Sequence, residues 1–151
     1  MSFLGSSEHT IDAKGRISVP ARFRELLSKE FGDKLIATVS FDRCLHVHPL
    51  KSWEAFEAKL AQRSSQEPGV KQIYRVYVAN ATEVDVDKLG RILLPAGLRG
   101  HAGLEKNAVW VGQAKHMELW SKAAWEKASA EAFGESFKAD IDRIFRETGA
   151  G

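Results

Sequence analysis

The sequence predicts an α+β fold, mainly β with short helices, built from two copies of one module. Residues 12–24 return as residues 87–99, and seven of the thirteen aligned positions are identical. The likeness continues downstream, where Trp53-Glu54 corresponds to Trp125-Glu126. A module of about 45 residues rarely buries enough apolar surface to be stable alone. We therefore expect the two halves of the 151-residue chain to interlace around one shared core.

The elements of the first module follow in order from local patterns. Alternating residues at 8–11 predict a strand, the Asp-x-x-Gly motif at 12–15 predicts a tight turn, and residues 17–19 predict a second strand. Pro20 suits the first position of a helix, and Gly32 suits its C-terminal end. The corresponding elements of the second module are predicted by residues 84–86, 87–90, 92–94, Pro95 and 100–103.

A second hairpin and a helix complete each module. In the first module we expect strands at 35–41 and 44–48, followed by a helix from Leu50. An offset of 72 residues places the second hairpin at 108–111 and 117–120, with a helix from Lys122.

The remaining segments connect or extend the modules. Residues 64–69 are typical of a linker, and residues 70–79 predict a helix. In the tail, four apolar residues at steps of four predict one helix that packs on the body or on a neighbouring subunit: Phe133, Phe137, Ile141 and Phe145. The chain thus divides into module 1 at 5–51, a helical connector at 52–80, module 2 at 81–124 and a C-terminal helix at 125–151.

Composition narrows the class of protein. Hydrophobic residues make up 44% of the chain and charged residues 28%, as in ordinary globular proteins. Cys44 is the only cysteine and cannot form an internal disulfide, which indicates a reducing compartment. The first residues lack a secretory signal, and no apolar run reaches the roughly 20 residues needed to span a bilayer. The sequence therefore predicts a cytoplasmic protein with no membrane partner.

The repeated motif is suited to presenting an arginine. Asp-x-x-Gly shapes a tight turn, and an arginine follows the glycine at once, as Arg16 and as Arg91. Its planar guanidinium matches phosphate oxygens or the O6/N7 edge of guanine. In the alternative interpretation, Asp and Gly only shape a hairpin and each Arg pairs with a neighbouring acid. The Pro-Ala-x-x-Arg continuation in both copies favours binding.

The charge of the two copies differs. The chain has a net charge of only +2, which by itself does not indicate nucleic acid. Residues 12–24 carry four cations and one acid, whereas residues 85–99 carry three cations and two acids. We therefore expect base contact first from Arg16 and second from Arg91. The candidate DNA-binding residues are Lys14, Arg16, Arg22, Arg24, Lys88, Arg91 and Arg99, and the candidate loop-shaping residues are Asp12, Gly15, Asp87 and Gly90.

The sequence carries no recognisable catalytic motif. It contains no Gly-x-Ser-x-Gly, no phosphate-binding P-loop and no dinucleotide-binding fingerprint, so we expect no enzyme and no cofactor. His46 and His48 share one face of a predicted strand, as metal ligands can. Their counterparts in the repeat are Glu118 and Trp120, and no cysteine or acid is placed in sequence to complete a site. We therefore expect no metal.

The repeated segments resemble those of a known family. Residues 9–16, 20–24 and 87–95 are similar to the MraZ proteins of bacteria, which carry paired Asp-x-x-x-Arg motifs. The resemblance covers residues 3–125 and includes the late Glu-Leu-Trp at 118–120. It implies tandem swapped-hairpin modules of the SpoVT-AbrB type, forming one pseudo-symmetric, double-barrel-like unit.

The resemblance also implies a function. MraZ proteins form rings that bind double-stranded DNA at short tandem repeats, in the promoter of a division and cell-wall gene cluster that includes their own gene. This chain is accordingly expected to be a sequence-specific DNA-binding transcriptional regulator, associated with the nucleoid, that represses its own gene cluster as a ring-shaped homo-oligomer. The motif residues carried over are Asp12, Arg16, Asp87 and Arg91, whereas Gly97 stands where the first copy has Arg22.

Two other interpretations stay open at this point. In one, the repeated hairpins serve only self-assembly, as a scaffold that does not bind DNA. In the other, the chain belongs to the antitoxin branch of the same superfamily, against which the second module and the short tail argue. Salt-sensitive binding to promoter DNA separates the regulator from the scaffold.

Overall fold

The computed structural model describes residues 2–150. Six strands form one antiparallel sheet in the order β1-β7-β8-β4-β3-β5, and β2 and β6 form a separate two-stranded antiparallel ribbon. The strands are β1 (Ser6–Thr10), β2 (Arg16–Ser18), β3 (Lys34–Val39), β4 (Cys44–Pro49), β5 (Thr82–Asp85), β6 (Arg91–Leu93), β7 (Asn107–Gly112) and β8 (Met117–Ser121). The predicted α+β class, mainly β with short helices, is confirmed.

The two modules exchange strands with each other. Strand β1 of the first module pairs with β7 of the second, and β5 of the second module pairs with β3 of the first. The ribbon takes one strand from each module. The expected interlaced, swapped-hairpin arrangement is therefore present, and neither module has a complete sheet of its own.

A pseudo-twofold axis relates the modules, and two strand pairs mark it. In the ribbon, Ile17 lies directly opposite Ile92, its own counterpart in the repeat. At the centre of the sheet, His46 lies directly opposite Glu118, again its counterpart. Because an antiparallel pair has twofold symmetry about such an opposed pair, both pairs lie on the axis.

Strand pairing corrects the repeat alignment in one segment. Leu35 pairs with Pro49, and Ala108 pairs with Ser121. Because Ser121 corresponds to Pro49 at an offset of 72, Ala108 corresponds to Leu35 at an offset of 73. The offset of 72 that the sequence indicates for β3 and β7 is therefore wrong by one residue. Both strands bury side chains on both faces, so alternation does not fix their register.

The helices begin where the sequence places them. Pro20 and Pro95 directly precede the first helix of each module, and the second helices begin at Leu50 and Lys122. The first helix continues as a π-helical turn to Phe31 and ends at Gly32, which has a φ of 84°. The helices are α1 (Ala21–Leu26), α2 (Leu50–Ala61), α3 (Val70–Gln72, continued as a π-helical turn over Ile73–Val78), α4 (Ala96–His101), α5 (Lys122–Ala132) and α6 (Lys138–Thr148).

One apolar core joins the ribbon to the sheet. Ile17 and Ile92 point inward from the ribbon and are each 1% exposed, in the same core as Leu35 and Leu45 of the sheet. Trp110 of β7 is fully buried, and its Nε1 donates a hydrogen bond to the Ser18 carbonyl at 2.9 Å. The ribbon is therefore held firmly over the sheet, and its opposite face is free to meet a partner.

The tail differs from the expected single packed helix. Helix α5 ends before Phe133, a 3-10 turn covers Glu135–Phe137, and α6 follows. The apolar stripe is exposed in this chain, so packing of the stripe on the body is wrong: Phe133, Phe137, Ile141 and Phe145. Gly134 lies between α5 and the 3-10 turn, where glycine disfavours a continuous helix. The spacing of the four apolar residues does not predict this break. Among residues 2–150, no helix is long and apolar enough to cross a membrane.

Candidate nucleic-acid interface

The first repeated motif forms a turn organised by one carboxylate. Asp12 Oδ1 accepts hydrogen bonds from the backbone N–H of Lys14 and of Arg16, both at 2.9 Å. Its Oδ2 accepts from Arg16 Nε at 2.7 Å. Gly15 has a φ of 86°, a left-handed conformation that side chains disfavour. Asp12 thus ties the turn together through three hydrogen bonds, and Gly15 supplies its left-handed residue.

The second motif repeats this geometry. Asp87 Oδ1 accepts from the backbone N–H of Leu89 and of Arg91 at 2.9 Å, and its Oδ2 accepts from Arg91 Nε at 3.1 Å. Gly90 has a φ of 79°. The two turns are thus equivalent in structure, which the matching sequence patterns predicted.

The aspartates carry their charge within the turns. Hydrogen bonds from the Arg16 backbone and side chain and from the Lys14 backbone lower the pKa of Asp12 to about 2, against the opposing effect of desolvation. The Arg91 backbone hydrogen bond is the largest of the corresponding causes that lower the pKa of Asp87. Because each negative charge is taken up by turn donors, it opposes an approaching anion less than a free carboxylate would.

Both motif arginines lie on the outer face of the ribbon. Arg16 pairs with Leu93 and Arg91 pairs with Ser18, while the intervening Ile17 points into the core. Since side chains alternate along a strand, Arg16 and Arg91 share the outer face as diagonal neighbours, about 7–8 Å apart. Each arginine also pairs with a neighbouring acid, as the alternative interpretation expected. This ion pair uses only the Nε nitrogen of each guanidinium.

The ion pairs leave much of each guanidinium available. The Arg16 and Arg91 side chains are 32% and 28% exposed. Within residues 2–150, their terminal nitrogens make no hydrogen bond to the protein. Since Nε is held by Asp12 or Asp87, each guanidinium is fixed in place and its terminal nitrogens stay available as a preformed pair of donors. Such donors suit a phosphate oxygen or a base edge.

Strand exchange brings a further arginine to each turn from the other module. Arg24 Nε donates to the Val19 carbonyl at 3.0 Å, and its guanidinium lies on Gly90, where an added Cβ would be 2.7 Å from Nη1. Arg99 Nε donates to the Leu94 carbonyl at 3.1 Å, and an added Cβ at Gly15 would be 2.9 Å from that nitrogen. Each turn is thus covered by an arginine that its own module does not supply.

The exchange distributes the candidate cations evenly between the two ends of the ribbon. Three gather at the first turn, namely Lys14, Arg16 and Arg99, and three at the second, namely Lys88, Arg91 and Arg24. Asp12 lies at the first turn, whereas Asp87 lies at the second and Asp33 lines the same surface hollow as Arg24 and Lys88. The even number of cations therefore does not make the two turns equal in charge, because Asp33 adds an acid beside the second.

Arg22 lies apart from these two sets. Its guanidinium lies against Gly5, where an added Cβ would be 2.8 Å from Nη2, and over the Phe23 ring at 5.3 Å from the centroid. These contacts belong to the N-terminal segment and α1, and none of them involves the turns. The structure therefore gathers six of the seven candidate DNA-binding residues and leaves Arg22 outside the group.

Two exposed leucines on this surface were not among the candidates. Leu89 is 71% exposed at the tip of the second turn, where the first turn has Lys14. Leu93 is 57% exposed on the outer face of the ribbon, opposite Arg16. The sequence could have revealed both leucines as surface residues. Leu89 lies inside the repeated turn motif, and Leu93 directly follows the buried Ile92 on the same strand and so points to the opposite face. They are one difference between the surfaces of the two turns.

A second polar cluster lies between β4 and β8 on the sheet face that looks away from the main core. His46 Nε2 is 3.3 Å from Glu118 Oε2, and one ligand atom each of Cys44, His46 and Glu118 lie within 4.8 Å of one another. The Tyr77 hydroxyl is 2.7 Å from His46 Nδ1 and 2.6 Å from His48 Nε2. The cluster combines thiol, imidazole and carboxylate groups.

Burial dominates the electrostatics of this cluster. It raises the pKa of the Cys44 thiol to about 12 and lowers the pKa of His48 to about 3. Burial also raises the pKa of Tyr77 and lowers that of His116. The sequence-based premise that nothing completes a site around His46 is wrong, because strand pairing places Glu118 across from it.

Comparison with known proteins identifies relatives along almost the whole chain. The family described as "MraZ protein, putative antitoxin-like" matches residues 2–75 and 77–147. A relative from Desulfitobacterium hafniense (strain DSM 10664 / DCB-2) is 47% identical over 130 residues, covering 86% of this chain and 88% of the relative. One from Thermoanaerobacter sp. (strain X514) is 44% identical over 126 residues, covering 83% and 85%. One from Acetivibrio thermocellus is 42% identical over 129 residues, covering 85% and 87%.

Fold and surface together define a class: α+β proteins of two strand-exchanged modules that display paired arginines on an exposed ribbon. The chain belongs to the MraZ family. The three relatives are each named "Transcriptional regulator MraZ". This confirms the resemblance inferred from the repeated motif. It also confirms that the chain is not an enzyme, because the family is one of transcriptional regulators.

Proposed function

We propose that this protein is a transcriptional regulator that binds double-stranded DNA sequence-specifically through the outer face of its ribbon. It binds short tandem repeats in the promoter of its own division and cell-wall gene cluster, represses that cluster and acts as a ring-shaped homo-oligomer at the nucleoid. The observation that carries the proposal is the diagonal placement of Arg16 and Arg91 on one exposed surface, with three cations at each end of the ribbon.

The ribbon has a shape that fits DNA. A two-stranded β-ribbon enters the major groove, where an arginine fork pairs with guanine O6 and N7. As diagonal neighbours, Arg16 and Arg91 have Cα atoms about 7–8 Å apart, close to two base-pair steps along one strand. We therefore assign base reading to Arg16 and Arg91. The other cations of the two turns, Lys14, Lys88, Arg24 and Arg99, hold the phosphate backbone on either side.

Oligomerisation explains how a chain of modest charge binds well. With a net charge of +2, one copy gains little from electrostatic attraction alone. In a ring, each further DNA repeat is bound at a high effective concentration, provided that the repeats match the subunit spacing. The apolar side chains exposed along the tail, Ile141 and Phe145 among them, support self-association.

The test is a mobility-shift titration of DNA from upstream of the protein's own gene. We expect the wild type to bind in a salt-sensitive manner and the Arg16→Ala, Arg91→Ala double variant to lose specific binding while keeping its oligomeric state. Arg63→Ala is the matched control, because Arg63 Nε pairs with Glu67, an acid four residues away, at 2.7 Å, the same distance as from Arg16 Nε to Asp12, but Arg63 lies on the connector. This control is expected to bind as the wild type does.

Two outcomes would overturn the proposal. Unchanged promoter binding by the double variant would remove the ribbon as the DNA-binding surface. If the wild type forms oligomers that do not bind promoter DNA at any salt concentration, the scaffold interpretation is favoured instead. Inserting about five base pairs, half a helical turn, between repeats should sharply lower affinity if the ring binds them together.

A further inference from the structure

We propose that Cys44, His46 and Glu118 bind a divalent transition-metal ion of the Zn²⁺ class between the two central strands of the sheet. The site is separate from the ribbon and does not depend on DNA binding. It joins the two modules at their pseudo-twofold axis, because β4 belongs to the first module and β8 to the second.

The ligand set and its geometry suit such an ion. Thiolate, imidazole and carboxylate are the three ligand types that Zn²⁺ takes in proteins. An ion at the centre of atoms no more than 4.8 Å apart lies at most about 2.8 Å from each, so shifts of less than roughly 1 Å reach zinc distances of about 2.0–2.3 Å. The three residues project from neighbouring strands, which hold them on one face.

Charge balance favours the occupied site. Cys44 is fully buried, and the His46 and Glu118 side chains are only 20% and 14% exposed. One thiolate and one carboxylate carry two negative charges, which a divalent ion cancels. The thiol releases its proton to solvent as the metal–sulfur bond forms. The ion thus gives the buried Glu118 carboxylate and the Cys44 thiolate a full counter-charge.

Neighbouring side chains orient the ligands. The Trp120 Nε1 donates to Glu118 Oε1 at 3.0 Å and leaves Oε2 directed toward His46. Ser40 Oγ lies 3.1 Å from Cys44 Sγ, where its hydroxyl can donate to a thiolate. When His46 donates from Nδ1 to the Tyr77 hydroxyl, its Nε2 lone pair is available to the ion. Such outer hydrogen bonds are typical of metal ligands.

His116 is the candidate for a fourth ligand. Its Nε2 is buried and has no hydrogen-bond partner among residues 2–150. Its ring centroid is 4.7 Å from that of His46. A buried imidazole nitrogen without a partner is costly unless something else binds it. The His116 nitrogens fall outside the group of ligand atoms that lie within 4.8 Å of one another, so His116 reaches an ion at the three-residue site only if its side chain moves, and water otherwise completes the four-coordinate, tetrahedral shell.

The experiment uses the purified full-length chain after dialysis against a chelator. Zn²⁺ binding is measured by calorimetry and by metal analysis, and Co²⁺ is added as a spectroscopic probe. We expect one ion per chain, a thiolate-to-Co²⁺ charge-transfer band, and a thermal midpoint that rises with Zn²⁺ and falls again with chelator. Cys44→Ser should lose the charge-transfer band, and Glu118→Gln should weaken Zn²⁺ binding at least tenfold.

The controls separate this site from surface binding and from misfolding. His9→Gln removes a histidine outside the cluster, on β1, and is expected to keep one ion per chain. Circular dichroism checks that Cys44→Ser and Glu118→Gln fold, and Glu118→Gln still tests the site if Cys44→Ser does not fold. The proposal is overturned if the dialysed wild type shows no thiolate band with Co²⁺. It is equally overturned if the folded Glu118→Gln variant binds Zn²⁺ as tightly as the wild type.

Discussion

Arg24 of the first module lies against Gly90 of the second module's turn, close enough that an added Cβ would be 2.7 Å from its Nη1. The mirrored contact joins Arg99 to Gly15. The backbone reinforces the exchange, since the Val19 N–H donates to the Gly90 carbonyl at 2.9 Å. Each arginine-presenting turn is therefore completed by the opposite module, and the backbones of the two turns are built alike.

The first prediction follows from this equivalence. Arg16→Ala and Arg91→Ala should weaken promoter binding by similar factors, about tenfold to a hundredfold each, because each removes one arginine fork from the ribbon face. Fluorescence anisotropy at a fixed salt concentration measures both. A large loss with Arg16→Ala and none with Arg91→Ala would show that the first module alone reads DNA, a stronger preference than the order Arg16 before Arg91 that the sequence windows suggested.

A second prediction concerns the exchanged arginines. If Arg24 and Arg99 hold phosphates, replacing either by alanine should weaken binding to specific and unrelated DNA alike. The slope of log affinity against log salt should then become shallower by about one. Titrations at several salt concentrations provide that slope. If the variant loses affinity only for the specific sequence and not for unrelated DNA, the replaced arginine reads bases instead of holding phosphates.

The turn glycines give a third prediction. Gly90→Ala places a side chain at a φ of 79° and displaces the Arg24 guanidinium, so it should lower both stability and DNA affinity. Gly32→Ala is the matched control, because Gly32 has a φ of 84° but no neighbouring atom within 4 Å of an added Cβ. Because its ψ of −174° places Gly32 in a region that is essentially restricted to glycine, this change should cost about 1–3 kcal/mol of stability but leave DNA affinity unchanged. Equal affinities for the two variants would contradict the role of the Arg24 contact.

The Asp12 turn predicts a pH dependence of stability. The pKa of Asp12 is lowered from 3.8 to about 2 in the folded chain, so its charged form favours folding. That contribution is present above about pH 4 and is lost as the pH falls through about 2. Asp12→Asn should therefore have a lower thermal midpoint than the wild type at pH 7, and the difference should shrink toward pH 2. A difference in thermal midpoint that stays constant from pH 7 to pH 2 would contradict this role of the Asp12 carboxylate.

Much of the local structure could be predicted from the chain because it depends on short-range geometry. Asp12 and Gly15 determine a turn through hydrogen bonds that span four residues, and Pro20 starts a helix because it has no N–H to lose. The repeat itself predicted interlacing. The register of β3 could not be predicted, because strands buried on both faces lack the alternation that reveals pairing.

The sequence by itself determined that two equivalent turns exist and that each presents an arginine, since those properties reside in a few adjacent residues. Only the tertiary structure decided which cations stand beside which turn, because strand exchange carries Arg24 and Arg99 to the opposite module. It also decided that Glu118, the repeat counterpart of His46, lies directly across from it. A twofold axis through an antiparallel pair brings counterparts together, and no local pattern in the chain shows where that axis falls.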